Sequence, residues 1–177
     1  MRVIVFCHSL VSDWNHGNAH FLRGVCGELL ARGHSVQVYE PADAWSVQNL
    51  VAEHGTQPLL AFARAYPALR SIRYRSDTLD LEQALDGADL VLVHEWSEHA
   101  LVKRIGEHRK HHRYQLLFHD THHRCVTEPG SMAAYDLQHY DGVLAFGSVI
   151  RDHYRKVGWA RRASCQVQAR LAQPTFR

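Results

Sequence analysis

The chain has 177 residues, of which 46% are hydrophobic and 21% are charged, and its formal net charge is +2. This composition is typical of one globular domain and excludes disordered and fibrous proteins. The small net charge gives no indication of a nucleic-acid partner, and no apolar run approaches the roughly 20 residues of a membrane span. The four cysteines lack CxxC spacing, so we expect neither a zinc ribbon nor a disulfide scaffold, and a cytoplasmic location is the simplest interpretation.

The beginning of the chain has the pattern of a strand, a helix and a second strand. Residues 2–7 are almost all apolar, which predicts a strand buried on both faces of a parallel sheet. Apolar residues recur at helical spacing over 18–33, where Gly33 provides a stop, and residues 35–39 alternate like a strand that Pro41 ends. This order predicts a βαβ unit.

The alternation of strands and helices continues through the rest of the chain. The predicted elements are a helical pattern near 58–63, a polar edge strand at 71–75, a helix at 81–85, a buried strand at 90–93, a helix from a Ser97 cap to about 108, a strand at 114–118, a helix at 131–137, a strand at 142–146 and a helix at 148–157. We therefore expect an α/β fold over residues 1–160, a Rossmann-like, doubly wound, mostly parallel sheet of five or six strands with helices on both faces. Residues 161–177 show no clean period and are expected to pack poorly.

The carboxyl ends of the predicted strands are polar, and ligands of such sheets bind beyond these ends. The residues at these ends are His8, Ser9, His94, Glu95, His119, Asp120, Gly147 and Ser148. Glu95 and Asp120 are candidate acid–base catalysts, and His119, Gly147 and Ser148 are candidate substrate contacts. Alternatively, Glu95 caps the helix that follows it, and His119 and Asp120 are ordinary polar residues of the sheet edge.

The segment between the first strand and the first helix is a candidate phosphate or sugar contact. Gly17 lets the backbone approach a ligand, and the N-terminus of the following helix favours anions. The indole of Trp14 is suited to stacking on a sugar, so the candidate substrate contacts here are Trp14, Asn15, Gly17 and Asn18, with Asp13 and His16 as candidate bases. The segment lacks the GxGxxG fingerprint of dinucleotide-binding proteins, and it could equally be a capped surface loop.

Residues 119–123 combine imidazole and carboxylate groups, the residue types of a metal site. One alternative is therefore a small metal-dependent hydrolase centred on His94, Glu95, His119, Asp120 and His123. Adjacent histidines on an extended chain point to opposite faces, however, and the spacing follows no established template. We predict no metal ligands at these positions.

Residues 107–113 form a basic run at the end of a predicted helix. Cations at a helix C-terminus suit the helix dipole and remain solvated. A solvated surface is therefore preferred for this run over a phosphate-binding or nucleic-acid-binding patch.

Three stretches of the sequence resemble the N-terminal half of a two-domain glycosyltransferase of the GT-B type, of the group-1 or CgeB-like kind. They are MRVIVFCHSLVSDWNHGNAHFLRGVCGELLARGHSVQVYE, DLVLVHEWSEHALV with LLFHDTHHR, and YDGVLAFGSVIRDHYRKVGW. The resemblance covers most of residues 1 to about 160, and much of it is what any Rossmann-like half requires.

The resemblance implies an acceptor-binding domain, because in that family the N-terminal half binds the acceptor and a C-terminal domain holds the nucleotide sugar. It implies cleft roles for Asn15, Gly17 and Asn18, and for His119, Asp120 and Gly147. The likeness stops near Ala163, so we expect a truncated, split or frame-shifted half without a donor-binding domain. We expect such a half to bind its sugar acceptor weakly and to be inactive alone. It would carry no cofactor, and a nucleotide sugar would bind only when a second domain is present.

Such a half would expose the surface that faces its second domain, so its expected partners are a separate donor-binding domain or a second copy of the chain. A different interpretation is a standalone, non-catalytic binding module whose 15 histidines respond to pH or bind a metal loosely.

Overall fold

A parallel β-sheet forms the centre of the chain in a computed structural model, which describes residues 1–12, 18–122, 124–157 and 165–166. Its strands are β1 (Arg2–Phe6), β2 (Ser35–Pro41), β3 (Ser71–Tyr74), β4 (Leu90–His94), β5 (Gln115–Asp120), β6 (Gly142–Ala145) and the two-residue β7 (Cys165–Gln166). Their order across the sheet is β3-β2-β1-β4-β5-β6-β7. All neighbouring pairs among these strands are parallel.

Helices connect the strands, as parallel pairing requires. They are α1 (Asn18–Ala31), α2 (Trp45–His54), α3 (Gln57–Ala65), α4 (Leu81–Leu85), α5 (His99–Arg109), α6 (Arg124–Thr127), α7 (Pro129–Ala133) and α8 (Ser148–Val157). No helix among the described residues has both the length and the apolar character needed to cross a bilayer.

The apolar run at the start of the chain becomes a strand with no solvent-facing side. Successive side chains of a strand point to opposite faces. Accordingly, Val3 and Val5 join one buried apolar cluster, whereas Ile4 and Phe6 join another. The four side chains are at most 2% exposed, so β1 is covered on both faces as its sequence predicts.

Each face of the sheet is covered by its own helices, which makes the fold doubly wound. On the Ile4 face, α5 contributes Leu101 and Ile105 to the core. On the Val3 face, α1 contributes Leu22 and Cys26. The predicted fold class, a Rossmann-like parallel α/β sheet with helices on both faces, is therefore confirmed.

Several predicted boundaries agree with the structure, and others do not. The polar strand β3 lies at the edge of the sheet as predicted. Helix α2 was not predicted, because only Ser46 of its residues is buried and an apolar stripe is therefore missing. The predicted Ser97 cap is wrong: α5 begins at His99, and Glu98 occupies the cap position.

The end of the chain is described only in part. Residues 165–166 pair with Leu144 and Ala145 of β6 as the short strand β7. The other residues of the predicted poorly packed tail, 161–177, lie outside the described ranges. Helix α7 covers Pro129–Ala133, earlier in the chain than the helix predicted over 131–137.

The core predicts a large difference between two strand substitutions. Phe118 of β5 is 0% exposed, and its ring lies 4.9 Å from that of Tyr135 and 6.1 Å from that of Tyr140. Phe118→Ala should lower the free energy of unfolding by about 3–5 kcal/mol, because it leaves a cavity. The matched control is Ile72→Ala on β3, where the side chain is 45% exposed and the expected change is within about 0.5 kcal/mol. Urea unfolding measures both, and equal losses would contradict this core.

Candidate functional site

The order of the strands places a crevice between β1 and β4. From β1 the chain moves to β2 on one side of the sheet, whereas β4 and β5 lie on the other side. In open parallel sheets, ligands bind at the carboxyl ends of the strands where the order reverses. A group of mostly buried polar residues lies at this point, which we call the carboxyl-edge cluster: Asn18, His94, Glu95, His119, Asp120, Thr121 and His122.

Glu95 is the central acceptor of the carboxyl-edge cluster. It follows β4, and its backbone N–H continues the pairing of β4 with β5 by donating to the His119 carbonyl at 2.9 Å. The side chain is 0% exposed. Its Oε1 accepts from the Thr121 backbone N–H at 2.8 Å and from His122 Nδ1 at 3.0 Å, and Thr121 Oγ1 also lies 3.0 Å away. A buried carboxylate needs such donors to remain charged.

Asp120 forms a carboxyl pair with Glu95, whose charge acts on it directly. Its Oδ1 accepts from the His122 backbone N–H at 3.0 Å, and its Oδ2 accepts from the Tyr154 hydroxyl at 2.8 Å. Both carboxyl groups are 0% exposed. Two carboxylates in contact away from water cannot both be charged, so the pair holds one proton.

The surroundings decide which carboxyl group keeps that proton. Burial, and after it the charge of Glu95, raises the pKa of Asp120 to about 8. Burial alone would also raise the pKa of Glu95, but the hydrogen bond from His122, the charge of His94 and the Thr121 amide lower it well below its ordinary value. At neutral pH Asp120 is therefore protonated, and Glu95 carries the negative charge of the pair. The buried Glu95 Oε2 has no hydrogen-bond partner among the described residues.

His122 combines a fixed nitrogen with an accessible ring. Because a carboxylate only accepts, Nδ1 carries the hydrogen in its 3.0 Å contact with Glu95 Oε1. In the neutral ring, Nε2 then carries the lone pair, and the side chain is 27% exposed. The hydrogen bond to Glu95 raises the pKa of His122, and the Glu95 charge adds to that effect. A histidine oriented in this way by a carboxylate has the arrangement of a general base.

Asn18 and Thr121 join the start of α1 to the end of β5. Thr121 Oγ1 lies 2.8 Å from Asn18 Oδ1, to which it can donate because the amide oxygen only accepts. Asn18 Nδ2 lies 3.3 Å from His122 Nδ1. The predicted substrate contact Asn18 is thus one of the residues that surround the His122 ring.

His94 and His119 form the inner wall of the carboxyl-edge cluster, with ring centroids 5.1 Å apart. Burial lowers the pKa of His119 to about 4, so its ring is neutral at pH 7. The ring stacks on Phe21 at 5.3 Å. Both histidines line a mostly apolar cavity of about 70 Å³ beneath α1, which agrees with a packing role.

Trp96 lies beside His122, and Trp45 lies beside Trp96; we call these two tryptophans the indole surface. Their ring centroids are 6.5 Å apart, and the Trp96 ring meets that of His122 edge-on at 5.6 Å. Trp45 is 37% exposed. The guanidinium of Arg124 lies 4.4 Å from the centre of the Trp96 ring, a cation–π distance. The indole surface therefore joins aromatic area to the accessible histidine.

The structure brings four of the predicted site residues together: Asn18, Glu95, His119 and Asp120. The alternative role of Glu95 as a helix cap is wrong, because its side chain binds the start of the segment after β5. Gly147 and Ser148 follow the neighbouring strand β6 at the same edge. The remaining predicted residues, Asp13, Trp14, Asn15, His16, Gly17 and His123, lie outside the described ranges.

The metal-hydrolase alternative finds no support in its described members. A shared ion requires ligand atoms close to one another, and within the described ranges only one set of three or more such residues has all its ligand atoms within 4.8 Å. That set lies on α4 and at the end of α5. His94, Glu95, His119 and Asp120 instead form a hydrogen-bonded and packed arrangement.

His122 and Thr121 were not among the predicted site residues. The available signal was the register of β4 and β5, in which His94 lies opposite His119. This register places the residues that follow each strand at the same level of the edge. Because of this shared level, the segment after Asp120 lies next to Glu95, and the Thr121 amide bonds to it.

The shared proton predicts a pH dependence of stability. The pKa of Asp120 rises from 3.8 to about 8 on folding, so the folded state retains a proton that the unfolded state releases. Stability therefore falls as the pH rises towards 8, by up to about 1.4 kcal/mol per pH unit. His119, whose pKa is lowered to about 4, opposes this trend only below about pH 6.5. Asp120→Asn should flatten the decline between pH 6.5 and 8, which urea unfolding at several pH values measures.

The matched control for this experiment is Asp86→Asn, at an exposed position after α4. It should leave the pH dependence as it is in the unsubstituted protein. Part of the decline should also survive in Asp120→Asn, because the raised pKa of His122 likewise makes stability fall with rising pH. An identical slope with and without Asp120 would contradict the shared proton.

Comparison of the chain with models of known protein families, with curated proteins and with solved structures finds no match. What bears on its function is therefore the order of the strands and the geometry of the carboxyl-edge cluster. That geometry offers a histidine held by a buried carboxylate, next to the indole surface.

Proposed function

We propose that this chain is the acceptor-binding part of a glycosyltransferase and that His122 removes the proton from the acceptor hydroxyl. The observation that carries the proposal is the contact of His122 Nδ1 with the buried Glu95 carboxylate, 3.0 Å long, at the strand ends where parallel sheets bind ligands. The resemblance of the sequence to the N-terminal half of GT-B enzymes supports the same reaction class.

The proton moves from the acceptor to His122 in this scheme. The acceptor oxygen forms a bond to the anomeric carbon of a nucleotide sugar, and the nucleoside diphosphate leaves with the electrons of the broken bond. His122 Nε2 takes the hydroxyl proton, and the Glu95 carboxylate stabilises the imidazolium that results. The proton on Asp120 limits the pair to one negative charge.

The exposure of each group separates their roles. Glu95 and Asp120 are 0% exposed, so neither reaches an acceptor hydroxyl directly, although both were candidate catalysts from the sequence. His122 is 27% exposed and is the group within reach. Glu95 is therefore a positioning residue that acts through His122, and Asp120 is the group that stores the proton.

The indole surface favours a sugar as the molecule that His122 meets. Sugar rings have an apolar C–H face and polar hydroxyl edges, so an aromatic ring next to hydrogen-bonding groups suits both. Trp45 and Trp96 offer that aromatic area, and the accessible His122 ring beside Trp96 offers the hydrogen-bonding group. Arg124, held over Trp96, adds a positive charge at the edge of the indole surface.

The proposal predicts that sugar binding depends on Trp45. Saturation-transfer NMR with glucose, galactose, mannose, N-acetylglucosamine and their common disaccharides should reveal at least one ligand. Trp45→Ala should weaken its affinity at least tenfold, because the exposed stacking area is lost. The matched control is Tyr66→Ala, since Tyr66 is 37% exposed like Trp45 but lies at the end of α3. Absence of binding by all these sugars, or an equal loss in both variants, would overturn the sugar proposal.

The role of Glu95 as a positioning residue predicts a change in the titration of His122. Imidazole NMR signals followed across pH should show that His122 titrates above the ordinary value of about 6.5. Glu95→Gln should shift the pKa of His122 downward, because the carboxylate charge and its hydrogen bond are the causes of the raised value. The control Glu98→Gln changes an exposed neighbour on the same segment and should leave His122 as it was. An unshifted His122 in Glu95→Gln would contradict this role.

A further inference from the structure

A second group of ligand atoms lies at the opposite edge of the sheet from the carboxyl-edge cluster. It consists of Glu82 on α4, His108 on the last turn of α5 and His112 just beyond that helix, and their ligand atoms all lie within 4.8 Å of one another. Because α5 runs from the end of β4 back to the start of β5, its last turn is at the amino edge. Residues 107–113 were predicted to be a solvated basic end of a helix. That prediction did not consider that His108 and His112 are four residues apart, a spacing that places two helical side chains on one face.

The distances within this group fit an ion better than direct hydrogen bonds. His108 Nε2 and His112 Nε2 lie 3.5 and 3.4 Å from Glu82 Oε1. A charged N–H···O bond is shorter, about 2.7–2.9 Å. In contrast, two ligand atoms bound tetrahedrally to zinc at about 2.0–2.1 Å lie roughly 3.3–3.4 Å apart. Both nitrogen–oxygen distances therefore match those of two ligands of one ion, and the two nitrogens lie within 4.8 Å of each other.

The buried His108 presents its lone pair to the centre of the group. The Tyr114 hydroxyl lies 3.3 Å from the Ile105 carbonyl, to which it can only donate. In the tautomer that carries its hydrogen on Nδ1, His108 donates to this hydroxyl oxygen, 3.0 Å away, and the hydroxyl keeps its own hydrogen for the Ile105 carbonyl. The lone pair of the neutral ring is then on Nε2, which is buried without a hydrogen-bond partner, and the side chain is only 8% exposed. An outer hydrogen bond of this kind is what orients metal-binding histidines.

The other two groups are free to adjust to an ion. His112 stacks on His108 with ring centroids 3.8 Å apart and ring planes 6° from parallel, so its ring has to turn before both lone pairs face one ion. Its side chain is 36% exposed, which leaves room for that rotation. The Glu82 side chain is 74% exposed. The neighbouring positive charge of Arg109 is balanced by Asp141, 3.3 Å away.

We infer that Glu82, His108 and His112 bind a divalent transition-metal ion of the zinc type, with the fourth position left to water. Two imidazole nitrogens and one carboxylate oxygen are ligands that zinc accepts, whereas magnesium and calcium prefer oxygen alone. The ion would connect α4 to the end of α5. The site is independent of the proposed glycosyltransferase function, because it shares no residue with the carboxyl-edge cluster.

Zinc titration of the chelator-treated 177-residue protein by calorimetry tests this site. One Zn²⁺ should bind per chain, and Glu82→Gln and His112→Ala should each weaken the affinity at least tenfold. Tyr114→Phe should also weaken it, because His108 loses the acceptor that orients its ring. The matched control is His111→Ala, an exposed histidine of the same turn, which should bind zinc like the unsubstituted protein. Cobalt substituted for zinc should give the visible absorption of a tetrahedral site.

Three results would overturn the inference. One is the absence of saturable binding of one zinc per chain. Another is an equal loss in His111→Ala and His112→Ala, which would indicate diffuse binding to surface histidines. The third is loss of zinc binding in His122→Gln with full binding in His112→Ala, which would place the ion at the carboxyl edge.

Discussion

The single negative charge shared by Glu95 and Asp120 is the interaction on which the rest of the carboxyl-edge cluster depends. Both carboxyl groups are fully buried, and burying two charges side by side would cost far more than a domain of this size can tolerate. One proton removes that cost, and the remaining charge is stabilised by the amide of Thr121 and the ring of His122. The positions of β4, β5 and the following segment are thereby linked through one carboxylate.

The backbone of Glu95 is held as firmly as its side chain. The Tyr135 hydroxyl lies against the Glu95 and Ser97 carbonyl oxygens, and Arg124 reaches the Glu95 carbonyl at 3.4 Å. Both side chains come from the region between β5 and β6. The residue that orients His122 is therefore held from two directions, as the proposed role of His122 requires.

Local sequence pattern was enough to predict the sheet. The apolar run of β1 requires burial on both faces, and the polar composition of β3 suits an edge, so each follows from a property of a few consecutive residues. The exposed helix α2 lacks such a pattern. The strand ends were also predictable as the place for a site, because parallel order brings them to one edge.

The roles within the candidate site depend on contacts that no local pattern records. Glu95 and Thr121 are 26 positions apart, so their contact depends on the register of β4 against β5. Whether Asp120 keeps its proton depends on burial and on Glu95, which raise its pKa, and on the hydroxyl of Tyr154, 34 positions further along the chain, which lowers it. The indole surface likewise joins α2 to the end of β4.

The placement of Arg124 has an electrostatic consequence for any ligand with charged and neutral parts. The buried carboxylate makes the vicinity of His122 negative when its ring is neutral, whereas the guanidinium over the outer face of Trp96 is positive. These opposite charges lie next to one indole ring and define a local polarity along the edge of the sheet, although Glu128, 3.3 Å from Arg124, balances part of the positive charge. A molecule with an anionic group would be turned so that this group faces Arg124 and its uncharged hydroxyls face His122.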